Sequence, residues 1–91
     1  MPRFVIERRI RKAGQLTDEQ LQAISRKACS AQAEMGSQVQ WVQSFVTDDG
    51  LLCTYIAPDE ELLREHARRG GFPADRVMMV RNIIDPTTAE A

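Results

Sequence analysis

A thiol, an imidazole, a phenol, a hydroxyl and a carboxylate fall on neighbouring predicted elements of this chain: Cys53, His66, Tyr55, Ser44 and Glu7. The thiol, imidazole and carboxylate together suit a borderline-soft ion such as nickel, zinc or copper. His66 is the chain's only histidine, and imidazole both titrates near neutrality and ligates transition metals. Two roles remain open for it. It is a metal ligand or general base, or it is a hydrogen-bonded histidine at the core edge, because it shares an apolar helical stripe with Leu62, Leu63 and Ala67. No pair of potential ligands forms a tight motif of the HExxH or CxxC kind, so any metal site has to be assembled in three dimensions. A Cys53–His66 nucleophile pair is conceivable, but a mid-strand cysteine lacks the helix N-terminus that would favour its thiolate. Spacing alone therefore assigns no reaction. Glu61 and Glu65 are four apart on a helix and read as solvated, Glu65 pairing with Arg68 or Arg69. Met78-Met79 reads as filler of the core or an interface.

These side chains must be positioned by alternating strands and helices. Arg3 to Arg9 alternates as a first strand and ends in the basic run Arg8-Arg9-Ile10-Arg11-Lys12, which reads as a solvated strand edge or an anion contact. Thr17-Asp18-Glu19-Gln20 is a capping-box start for a helix with the stripe Leu21, Ile24, Ala28, Ala31, Met35, closed by Gly36. Cys29 falls at the edge of that stripe and is expected to pack as a small hydrophobe. Pro58-Asp59-Glu60-Glu61 opens a second helix that stops at Gly70-Gly71; a last strand runs from Val77 to Ile84, and residues 86–91 form a frayed tail.

Between the helices, Val39 to Ala57 reads as a hairpin turning on Asp49-Gly50, which places Val46 opposite Cys53 and Ser44 opposite Tyr55. One face carries Val42, Val46, Leu51, Cys53, Tyr55 and Ala57; the other carries Trp41, Phe45, Leu52 and Ile56. Both are apolar. The order β-α-β-β-α-β is the ferredoxin-like arrangement, an α+β fold with two helices on one face of a four-stranded antiparallel sheet. The helices cover one hairpin face, and a second copy or a ligand covers the other, with Val5 and Val80 extending the patch. A homodimer is the expected assembly.

Ninety-one residues suit a single domain spanning 1–91. The net charge of −1 offers no electrostatic reason for nucleic acid or anionic membrane as partner. Trp41 and Phe45 could form a base-stacking platform, but Leu51 to Ala57 lacks the glycine-rich basic motif of RNA-recognition domains. No apolar run spans a bilayer and no signal-peptide core is present, so the chain is expected in the cytoplasm, its cysteines as thiols.

The segment VQWVQSFVTDDGLLCTYIAPDEELLREHARRGGFPADRV and the ending IIDPTTAE resemble a family of small single-domain bacterial proteins of unknown function that includes nickel-binding members. FVIER and the Thr17-Asp18-Glu19 helix start fit the same family. The resemblance implies a ferredoxin-like dimer and, for some members, bound nickel. It is carried by Trp41 to Asp48, Cys53-x-Tyr55-x-Ala57-Pro58, Arg64-Glu65-His66-Ala67 and Gly71-Phe72-Pro73. The positions matching the family's polar pattern are Glu7, Ser44, Cys53, Tyr55 and His66. The chain departs from the pattern at Arg8 to Lys12, more basic, and at Gly50-Leu51-Leu52 and Met78-Met79, more apolar. On this basis nickel is the expected metal, with His66, Cys53 and Glu7 as candidate ligands and Ser44 and Tyr55 as candidate cofactor contacts. The competing expectation is a small-molecule pocket lined by Cys53, Tyr55 and His66.

Overall fold

Thr17 and Gln20 form a reciprocal capping box: the Gln20 N–H donates to Thr17 Oγ1, and the Thr17 N–H donates to Gln20 Oε1. That lock starts helix α1, Asp18–Glu34, and Gly36 in the left-handed region follows its end. The structure, a computed structural model, describes residues 1–90, and of Ser37 the backbone alone. Around α1 the order is β1 (Arg3–Arg9), α1, β2 (Gln40–Thr47), β3 (Gly50–Ile56), α2 (Glu60–Gly70) and β4 (Arg76–Met79). The four strands form one antiparallel sheet in the order β2-β3-β1-β4, the ferredoxin-like arrangement expected from the sequence. Asp59 caps α2 by accepting from the Leu62 N–H, and Gly71, with φ of 72°, ends it.

Alternation along β1 buries Phe4, Ile6 and Arg8 on the helix side. Phe4 and Ile6 join Leu51, Cys53, Tyr55, Ala57 and Leu63 in the core. On the opposite face Val5 pairs with Met78, Glu7 with Leu52 and Arg76, and Phe45 with Leu52. Neither helix lies over that face, and Phe45 is 54% and Leu52 39% exposed.

The hairpin corrects the sequence reading twice. Its loop is Asp48-Asp49, with Thr47 paired to Gly50, so Val46 faces Leu51 and Ser44 faces Cys53. Gly50 has no positive φ. Its lack of a side chain serves the close approach of β1, because a Cβ there would fall onto the Arg8 carbonyl. The turn is held by β1's continuation, where the Ile10 and Gly14 N–H groups donate to the Asp49 and Asp48 carbonyls. Because the register moved by two residues, side chains near the turn kept their predicted faces. Further along, an irregularity between Trp41 and Gln43 sets Trp41 opposite Tyr55, on the helix side rather than beside Phe45.

The last strand is shorter than expected. Beyond Met79, among the described residues, only the Val80 N–H still reaches β1, at the carbonyl of Arg3 where that strand begins. Ile83 and Ile84 are exposed. Within the expected tail, Pro86–Glu90 forms a short, exposed 3-10 turn in which the Asp85 carboxylate accepts from the Thr87 N–H and hydroxyl. Ala91, the last residue of that tail, lies outside the described residues. Among the described residues no helix is long and apolar enough to cross a membrane.

Candidate functional site

Between α1 and the inner face of β2 and β3 lies a cavity of about 390 Å³. Leu21, Ile24 and Ala28 of α1 form one wall, and Ser44, Leu51, Cys53 and Tyr55 of the hairpin form the other. Trp41 reaches this wall because of the β2 irregularity; its N–H, freed from the ladder, donates to Gln32 Oε1 of α1 at 2.9 Å. The Trp41 indole N–H donates to Ser44 Oγ, also at 2.9 Å. Exposed Val42 and Val46 are among the lining residues, so the cavity reaches the surface along β2.

Arg8 lines the same cavity and is 3% exposed. Its guanidinium donates to the Pro73 carbonyl and, at 3.2 Å, to the Tyr55 hydroxyl. It also lies 5.4 Å from the Phe72 ring centre and 5.9 Å from that of Tyr55. The loop after α2 makes this possible: Gly70 lacks the Cβ that would collide with the Phe72 ring, and Gly71 turns the chain so that Phe72 and Pro73 fold over Arg8. Among the described residues no carboxylate comes within ion-pair distance of Arg8. Burying such an ion costs several kcal/mol after relaxation. Cation–π contact returns about 0.5–2 kcal/mol, and the two hydrogen bonds have neutral acceptors. A buried cation with neutral partners is the dominant electrostatic feature of the site.

Sequence reasoning placed Arg8 in a basic run, read as a solvated strand edge or an anion contact, without setting it apart from its neighbours. The period-two signal Phe4-Ile6-Arg8 was present, and it was hidden by the four cationic neighbours Arg9, Arg11, Lys12 and Arg3 on either side. Arg9, one residue on, is exposed as expected.

His66 is fully buried, its Nε2 lying 3.0 Å from the Ala28 carbonyl. A carbonyl only accepts, so Nε2 carries the proton and Nδ1 is the bare nitrogen. Nδ1 is buried without a hydrogen-bond partner. Tyr55 meets the imidazole edge-on at 5.4 Å between ring centres. Burial first, and then the Arg8 charge, push the imidazole below its ordinary pKa, against the opposing pull of the Ala28 carbonyl. Tyr55 is pushed up by burial, with Arg8 pulling the other way.

Of the predicted residues, Ser44, Cys53 and Tyr55 line the cavity, while His66 sits behind Tyr55 and is not among the lining residues. The expected ligand trio of His66, Cys53 and Glu7 does not assemble within the chain. Glu7 alternates onto the opposite sheet face, where its oxygens lie 4.0 Å from Arg9 and 3.8 Å from Arg76. Among the described residues no group of three or more His, Cys, Asp or Glu side chains could hold a metal ion. Cys29, expected to pack, is exposed: Ala28 occupies the buried position and Cys29 is one helical step past it.

A family model described as "Nickel responsive protein SCO4226-like" matches residues 4–80. The chain belongs to this SCO4226-like family. The crystal structure of SCO4226 from Streptomyces coelicolor A3(2) superposes with a TM-score of 0.76 at 19% identity, over 90% of this chain and 99% of that one. At that identity the likeness to SCO4226 speaks for the fold. No curated protein matches the chain.

The buried imidazole gives a pH signature. Its folded pKa lies below the unfolded reference of about 6.5, so the unfolded chain binds more protons between the two values. The contribution is fully present above that reference and is lost as pH falls through the folded value. Urea unfolding from pH 7.5 downward should show a falling midpoint in the wild type and a flatter dependence in His66→Gln. An equal slope in both proteins would place the imidazole in contact with water.

Proposed function

We propose that this protein is a small-molecule-binding homodimer of the cytoplasm, with its ligand held between α1 and the β2–β3 hairpin. The observation that carries the reading is the cavity of about 390 Å³, apolar over most of its wall and furnished with a few polar groups at Arg8, Ser44, Cys53 and Tyr55. Ligand sites of small molecules have this composition and fall in this size range. The guanidinium, hydroxyl, phenol and thiol groups of the lining give the walls hydrogen-bonding capacity, and nothing in their geometry calls for a covalent step.

The dimer is supported by the open sheet face. Val5, Phe45, Leu52, Ile56 and Met78 share that face without a helix over them, and a patch of this kind usually marks an interface. A second copy is the occupant that needs no further partner, since a twofold axis brings the same patch to itself. Cytoplasmic residence is supported by the two free thiols, Cys29 and Cys53.

A second reading, nickel binding, is favoured by the family's description as nickel responsive. Candidate ligands within one protomer are divided between the two sheet faces. Nickel would then be held where two protomers meet, with Glu7 of the open face as the candidate that dimerisation completes. His66 and Cys53, closed beneath the helices, stand apart from that site.

Trp41 is the chain's single tryptophan and lines the cavity, so its emission reports occupancy. Titration with 1-octanol should give a saturable blue shift as water leaves the indole. A shift absent up to the solubility limit contradicts a ligand cavity.

Native mass spectrometry tests assembly and metal together. The wild type should appear at twice 10.3 kDa and take up Ni²⁺, Glu7→Gln should take up less, and Phe45→Asp should be monomeric and lose nickel. A wild-type monomer at micromolar concentration contradicts the dimer, and nickel retained by monomeric Phe45→Asp contradicts a site between chains.

A further inference from the structure

We propose that the ligand of this cavity is a monovalent organic carboxylate with an apolar body, its head held by Arg8 and Tyr55. The proposal rests on the reading of the cavity as a binding site and adds the ligand's charge and shape. Arg8 is the only charged residue among those lining the cavity, and it is 3% exposed. Its hydrogen bonds go to two neutral oxygens, Pro73 O and Tyr55 Oη. A cation so placed favours an anion entering the same space, and no carboxylate of the lining opposes one.

The kind of anion follows from the donors. Tyr55 Oη accepts from Arg8, and among the described residues its own proton has no acceptor. The guanidinium is a planar fork that matches a planar carboxylate, and a neighbouring hydroxyl adds a further donor. One cation balances one negative charge. A phosphate dianion would bring a second charge and a third set of oxygens into a wall that offers no other cation. Away from Arg8 the wall is mostly apolar, with Leu21, Ile24, Ala28, Trp41 and Leu51 beside Ser25, Gln43 and Ser44, which calls for an apolar body attached to that head. Phe72 and the Pro73 carbonyl hold the guanidinium in place before any ligand arrives, so little ordering remains to oppose binding.

The test compares octanoate with 1-octanol, equal in chain length and different in head, by Trp41 emission and by calorimetry. In the wild type, octanoate should bind at least tenfold more tightly than octanol. In Arg8→Met that ratio should collapse towards one, and in Tyr55→Phe it should fall several-fold. Replacing a buried cation by an apolar side chain of similar length is often tolerated, and circular dichroism confirms the fold. Should Arg8→Met fail to fold, the wild-type ratio and Tyr55→Phe decide. Equal affinities for the two ligands in the wild type overturn the carboxylate head and leave the cavity reading intact. Binding of neither ligand overturns both. A ratio unchanged in folded Arg8→Met places the anion elsewhere and overturns the proposal.

Discussion

The Arg8 guanidinium, enclosed by Tyr55, Phe72 and the Pro73 carbonyl, ties together elements that are distant along the chain. Strand β1 supplies the cation, β3 the phenol, and the loop after α2 the ring and the carbonyl. Alternation on β1 forces Arg8 inward with Phe4 and Ile6, so the charge cannot escape without turning the whole strand over. The loop must close over it, and Gly70 and Gly71 allow that closure. Tyr55, drawn towards Arg8, stands edge-on to His66, whose Nε2–H is already committed to the Ala28 carbonyl of α1. Both helices are thereby tied to one buried polar cluster beneath an apolar cavity, and the cavity's chemistry is set by the same charge.

The two faces of the sheet divide the possible functions. The inner face holds the thiol, imidazole and phenol among apolar walls, where a neutral imidazole is favoured and a metal ion would meet the Arg8 charge. The outer face carries Glu7 among Arg9, Arg76 and apolar neighbours, open to another chain. Under the proposed dimer, the family's description as nickel responsive would bear on the outer face, whereas the cavity belongs to the inner one. Nothing requires a single site to serve both, and fold alone does not choose between them.

Much of the architecture was legible because it is encoded locally. Thr17 and Gln20 announce the start of α1, Asp59 announces α2, and Gly36 and Gly71 announce their ends. Where the reading failed, contacts distant in sequence decided the outcome. The Asp49-Gly50 turn was placed one residue late because Gly50 answers to the Arg8 backbone across the sheet, and no local φ demands it. Trp41 changed faces through a β2 irregularity accompanied by a hydrogen bond from its backbone to Gln32 of α1. β4 ended early, its ladder closing at the Phe4–Met79 pair next to the start of β1 at Arg3. For the site, Cys53, Tyr55 and Ser44 were found by strand parity, which survives a two-residue shift. Glu7 was misplaced with them by residue type, although its parity sets it on the other face, and Arg8 was missed because its run of charged neighbours outweighed the alternation that buries it.

Hydrogen exchange at the Arg8 Nε–H, followed by nitrogen-15 NMR of the guanidinium groups, tests the buried cation most directly. A guanidinium enclosed by Tyr55, Phe72 and Pro73 should give one arginine resonance that exchanges far more slowly than those of the exposed Arg9, Arg68 and Arg76. Arg8→Met should remove that resonance alone. An Arg8 signal exchanging as fast as the exposed arginines would contradict the account at its centre.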